Sequence, residues 1–222
     1  MTQFPQAERV LPVDGELFAR FFQFQLPMVF LLTTFGGAGL IANDLRTGAI
    51  LVYLSRPLSR RDYVLGKLCV LLALNLSVTL APGWLLYGVA LALAPEHFFK
   101  WSLVGLGPSI AVYSLLLALV LSLLALAISV LSRSACVAGL VFFGLLPVTE
   151  SVRLLVWAIY RIDMASLLSL AADLVAIGNV LFGVSDTGFG VHWGFAALVL
   201  LLTSAGCLAV LRSRMRAVEI VT

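Results

Sequence analysis

The chain reads as an all-α membrane protein: a polytopic bundle of about five transmembrane helices, with a cytoplasmic coupling helix and an external re-entrant or interfacial helix. Three observations predict it. Of its 222 residues, 62% are hydrophobic and only 11% charged, with a mean hydropathy of +1.10. A soluble domain of this size needs far more charge to cover its surface. Five apolar stretches reach the ~20 residues that cross a ~30 Å hydrocarbon core. Lysine and arginine also segregate to alternate connections, as topology in a bilayer requires.

Residues 1–20 are polar, slightly acidic and punctuated by Pro5, Pro12 and Gly15, and are read as an external N-terminal segment. Glu8, Arg9, Asp14, Glu16 and Arg20 break any signal-peptide pattern of a basic lead and short apolar core. Residues 21–222 then form a single transmembrane domain. Its first span, about 21–42, ends in Gly36-Gly37-Ala38-Gly39, small residues that let another helix approach closely.

The coupling segment, 43–63, follows. Asn43 and Asp44 suit a helix end. Arg46 to Ser55 are expected to form a short interfacial helix with Ile50, Leu51, Tyr53 and Leu54 on its apolar side. Pro57 disfavours helix at Arg56, so the chain turns there. Ser59 and Asp62 mark a new helix start, one as cap and the other in the first turn. The second span, about 64–94, contains Pro82-Gly83. A kink is expected there, with Asn75, Ser77 or Thr79 serving the freed backbone.

Trp101 and Lys100 are expected to anchor at an interface after the Pro95-Glu96-His97 loop, with Gly105, Gly107 and Pro108 as a loose approach to a third span, about 112–131. Ser132-Arg133-Ser134 is a tight turn into the fourth span, about 135–155, interrupted by Gly144 and Pro147. Ser166 to Leu181 form one helical pattern too polar for a span, with Ser166, Ser169 and Asp173 on one side. After a glycine-rich loop the last span, about 192–211, ends in Arg212, Arg214 and Arg216.

Placing the 43–67 connection inside puts nine Lys/Arg against three acids (Asp44, Asp62, Glu219) in the cytoplasm, and five against eight outside. The expected topology is a multi-pass protein of the plasma (inner) membrane with its N-terminus outside and its C-terminus cytoplasmic.

Two stretches, Gly39-Leu-Ile-Ala-Asn-Asp-Leu-Arg-Thr-Gly48 and Tyr53-Leu-Ser-Arg-Pro-Leu-Ser-Arg-Arg-Asp-Tyr-Val-Leu-Gly-Lys67, resemble the ABC-2 type permeases, membrane subunits of ATP-binding-cassette transporters. The match is specific in order, spacing and charge over about thirty residues, and looser, by hydropathy, over the rest. The resemblance implies a six-helix subunit that pairs with a second permease subunit, as a homodimer or heterodimer, and binds ATP-hydrolysing subunits on the cytoplasmic side. It further implies export, a docking role for the segment matching Asp44 to Lys67, and a helical re-entrant region before the last span. Here residues 1–20 match the external loop that follows the family's first helix. Either five spans suffice or the true start lies upstream of Met1.

On that reading Asp44, Arg46, Gly48, Tyr53, Arg56, Pro57, Arg60, Arg61, Asp62 and Lys67 form the docking surface for the ATPase. The same cations also satisfy the positive-inside rule and suit anionic headgroups, but charge alone leaves the Gly48, Pro57 and Asp62 pattern unexplained. No G-x-x-x-x-G-K-[ST] occurs, so the chain is not expected to be an enzyme: no cofactor is its own, and ATP is bound by the partner subunit. Asn75, Glu150 and Arg153 are the candidates for a substrate path. A bland alternative is preferred for each: an interhelical hydrogen bond for Asn75, and an i,i+3 pair near the outer surface for the other two. His97 and His192 alone make no metal site, and Cys69, Cys136 and Cys207 lack metal or disulfide spacing. No nucleic-acid partner is expected. Two rival classes stay open: a non-transporting membrane anchor for an ATPase, and an unrelated polytopic membrane protein.

Overall fold

A computed structural model describes residues 14–49, 60–93, 101–132, 134–184 and 192–217. These residues form helices and their connections, without a strand. In order they are α1 (Gly15–Gly37), α2 (Ala42–Thr47), α3 (Arg60–Leu93), α4 (Trp101–Leu131), α5 (Ala135–Tyr160), a 3-10 turn η1 (Asp163–Leu168), α6 (Leu170–Leu181) and α7 (Trp193–Ala217). Five of them, α1, α3, α4, α5 and α7, are long and apolar enough to cross a membrane.

α4 is the axis. It packs against α1, α2, α3, α5, α6 and α7, and 72% of its most apolar window is buried, against 11% for α5. The reason lies in one face of α4, where Ser114, Ala118, Ser122, Ala125 and Ser129 are all fully buried. Small side chains at this spacing let neighbouring helices close in, and the hydroxyls supply bonds that apolar side chains cannot. Gly37 of α1 uses the same device: a Cβ there would lie 2.9 Å from that of Ala125. The outward faces are apolar too, with Phe24, Phe35 and Leu201 exposed, as lipid contact demands.

Two expectations change. The looser approach over Gly105 to Pro108 is helical, because α4 begins at Trp101 and carries Pro108 inside. Gly107 lies where the Tyr87 ring of α3 rests, 3.5 Å from where its Cβ would be. In α3, Pro82 removes the amide that would serve the carbonyl of Val78. The replacement donor is the side-chain amide of Gln25 on α1, not Asn75, Ser77 or Thr79. The hydroxyls of Ser77 and Thr79 bond instead to Leu74 and Asn75 of their own helix.

The expected helix from Ser166 to Leu181 is two pieces. Ser169 is extended (φ −108°) and ends η1, while its hydroxyl accepts from the amide of Ala172 and caps α6. The register of α1 and α5 locates α6. These helices run antiparallel, with Gly39 beside Ala135, Ala38 beside Gly139, and Phe30 stacked on Phe142 at 4.7 Å. Continuing that register places Phe22 level with Glu150. Ser169, before the first residue of α6, bonds to Glu150, while Phe182, just past its last, stacks on Phe22 at 5.5 Å. α6, about 18 Å long, therefore runs from Glu150 of α5 to the start of α1, where the Phe182 backbone meets Gly15. Phe18, Phe22, Tyr113 and Phe182 make the aromatic cluster that seats its C-terminal end.

Candidate functional site: the α1–α3 coupling segment

The chain leaves α1 at Gly37, turns through Ala38 to Ile41, and enters α2. A short helix start has amides with no intrahelical partner, and here the residue before it, Ile41, has no side-chain oxygen to offer. The partner comes from another helix. Ser129 of α4, fully buried, accepts from the amides of Ile41 (3.1 Å) and Ala42 (2.9 Å) and donates to the carbonyl of Ala38 (2.8 Å). One hydroxyl thus fixes the turn between α1 and α2 to the axis of the bundle.

The side of α2 is fixed to α3. Asp44 receives the hydroxyl of Tyr63 at 2.6 Å and forms an ion pair with Lys67 at 2.9 Å, both on Oδ2. Tyr63 and Lys67 are one turn apart, and the lysine ammonium lies 5.6 Å from the centre of the tyrosine ring. Both ion-pair partners are mostly covered, at 22% and 17% side-chain exposure, so water screens the pair less than it would at the surface. α2 then stops at Gly48, whose φ of 69° suits glycine. A helix running unbroken from Arg46 to Ser55 is therefore excluded at Gly48.

Among the residues predicted for docking, Asp44 and Lys67 meet each other. Arg46 is exposed in the last turn of α2, Asp62 is exposed in the first turn of α3, and Gly48 forms the break. Arg60 and Arg61 open α3, placed here by their backbone. Tyr53, Arg56 and Pro57 lie outside the described residues. Sequence reasoning missed Tyr63 as the second partner of Asp44, and Ser129. Tyr63 is four residues before Lys67, the spacing that puts both on one helical face. Ser129 gave no signal beyond being a hydroxyl in an apolar run.

Of the other predicted residues, Asn75 lies inside the bundle, while Glu150 and Arg153 are half-buried on α5. Asn75 is fully buried: its oxygen accepts from Thr33 of α1 at 2.8 Å, and its amide donates to Ser122 of α4 at 3.1 Å. It joins three helices. Glu150 accepts from Arg153 at both carboxylate oxygens and from Ser169 at 2.6 Å, which ties α5 to the start of α6. The two do not lie at one place, since Asn75 bonds to the level of Thr33 and Glu150 lies at that of Phe22.

Among the described residues, no group of three or more His, Cys, Asp or Glu side chains is placed to hold a metal ion. His192 accepts from the amide of Gly194 through Nδ1 and stacks on Trp193. The three cysteines are free thiols, Cys69 and Cys136 exposed and Cys207 buried.

A search of curated proteins found none that matches the chain. A family model described as ABC-2 family transporter protein matches residues 6–160, which include α1 to α5 and the whole 43–67 connection. The chain belongs to that family, the membrane permease component of ATP-binding-cassette transporters.

Proposed function

We propose that this permease subunit receives a separate ATP-hydrolysing subunit on its 43–67 segment and exports its substrate. The segment carries five of the chain's fourteen Lys and Arg residues. The observation that supports the reading best is the double attachment of α2, to α4 through Ser129 and to α3 through Asp44. A push delivered at a membrane surface biases a conformational equilibrium only if the receiving element is stiff and joined to the helices that must move. α2 meets both conditions, because its attachments reach the central helix and the first two turns of α3 together.

On this reading Arg46, Arg60 and Arg61 face acidic groups of the ATPase, while Asp44 and Lys67 hold the receiving surface in place. The subunit works beside a second permease subunit in the inner membrane, with the coupling segment and C-terminus in the cytoplasm. The charge distribution supports that orientation. The test is co-purification of the ATPase with the Arg60→Glu, Arg61→Glu double variant. Association should fall at least tenfold while the permease stays in the membrane, and undiminished capture would remove the docking assignment. ATP-dependent uptake into inside-out vesicles measures direction, and uptake only into right-side-out vesicles would exclude export.

A further inference from the structure

Asp173 is the one acidic side chain inside the described bundle for which no partner supplies an explanation. It sits on α6, 2% exposed, and its Oδ2 has no hydrogen-bond partner among the described residues. Its amide closes the first turn of α6 on the carbonyl of Ser169, so its side chain lies over Ser169, the residue that bonds Glu150. Glu150 is matched by Arg153; Asp173 has no such match in its hydrogen bonds. A buried carboxylate in an apolar bundle is stable only if a positive charge comes to it.

We propose that Asp173, above the Ser169–Glu150 link, takes up one positive charge within the bundle, supplied by a lipophilic organic cation passing through the permease or by a proton. The packing of α6 suits this, since its contacts with α1, α4, α5 and α7 hold Asp173 among the spans. The elements packed against α6 offer few competitors among the described residues. They carry Glu16, Arg20, Tyr113, Cys136, Glu150, Arg153, Tyr160, Asp163, Cys207, Arg212 and Arg214. Of these, Glu16 and Arg20 pair with each other at the start of α1, and Glu150 is the one bonded to the Ser169 cap. Burial pushes the Asp173 carboxyl up to about 7, which makes both sources of charge available near neutrality.

The inference rests on the permease reading for its substrate but not on ATPase docking, so its test uses the full chain alone in membrane vesicles. The probe is dicyclohexylcarbodiimide, which adds to a protonated carboxyl in an apolar site, with peptide mass spectrometry as the readout. Asp173 should be labelled in the wild type, with the adduct absent from that peptide in Asp173→Asn. Labelling should fall about tenfold per pH unit above about 7, as the acid form is lost. Tetraphenylphosphonium then separates the sources. If it blocks labelling increasingly as pH rises, the occupant is an organic cation. If labelling follows pH alone, the occupant is a proton. No adduct at Asp173 between pH 6 and 9, while a control apolar carboxyl reacts, overturns the inference. The protection arm needs no variant, so it stands even if Asp173→Asn fails to insert.

Discussion

The side-chain amide of Gln25 donates to the carbonyl of Val78, the acceptor that Pro82 leaves without its helical donor. A glutamine on one span thereby repairs a proline break in another. Replacing Gln25 by leucine should lower stability by roughly 0.6–2 kcal/mol, the range for a buried hydrogen bond in a membrane protein. The loss should largely vanish in a Pro82→Ala background, where residue 82 regains its amide. Unfolding in mixed detergent micelles measures both. Equal losses in the two backgrounds would mean that Gln25 acts elsewhere.

Ser129→Ala removes an acceptor for two amides and a donor to Ala38 at once. The expected cost is about 1–2 kcal/mol, concentrated in the α1–α2 turn. Hydrogen exchange should quicken at Ile41 and Ala42 and stay unchanged in the middle of α4. Uniform acceleration over the bundle would argue against a local fastening.

The Asp44–Lys67 pair should show coupling of about 1 kcal/mol in a double-mutant cycle of Asp44→Asn and Lys67→Met. Tyr63→Phe should lose less than Asp44→Asn, because it removes one bond to Oδ2 and leaves the lysine. Additive single effects would show that the pair does not act as a unit.

Asp173 makes stability depend on pH. Its carboxyl is raised from an ordinary 3.8 to about 7, so the folded state holds a proton that the unfolded state has released. The favourable contribution is complete below about pH 4 and is lost as pH rises through about 7. The thermal unfolding temperature in detergent should therefore fall between about pH 4 and 7 in the wild type and level off above, and Asp173→Asn should flatten that slope. An identical slope in the variant would assign the effect to another group.

Much of this was legible in the residues, and the misses have a common physical cause. Apolar length revealed five spans, and Gly48 marked the break after α2. Helix ends were less visible: Glu16 and Arg20 made residues 15–20 read as an external segment, yet a helix continues past the hydrocarbon wherever its backbone can bond. Gly105, Gly107 and Pro108 suggested looseness, but glycine is also what a packed tyrosine ring requires. The bond that repairs α3 joins Gln25 to Val78, 53 positions apart, and one that fastens the start of α2 joins Ile41 to Ser129, 88 apart. Periodicity reports which face of a helix is apolar. It carries no information about which distant hydroxyl or amide will meet a particular backbone group.

Gly15 gives α6 a mechanical property. A methyl group on that glycine would sit 1.8 Å from the carbonyl oxygen of Phe182, so the start of α1 and the end of α6 touch backbone to backbone. With Ser169 moored to α5 at the opposite end, α6 is fastened at both ends rather than hinged at one. Swinging aside requires one of these moorings to part, and rolling about its own length would break the bond from Gln23 to Asn179. An alanine at position 15 would pry at the α1 mooring first, loading the Gln23–Asn179 bond and the Phe22–Phe182 stack that hold the same end.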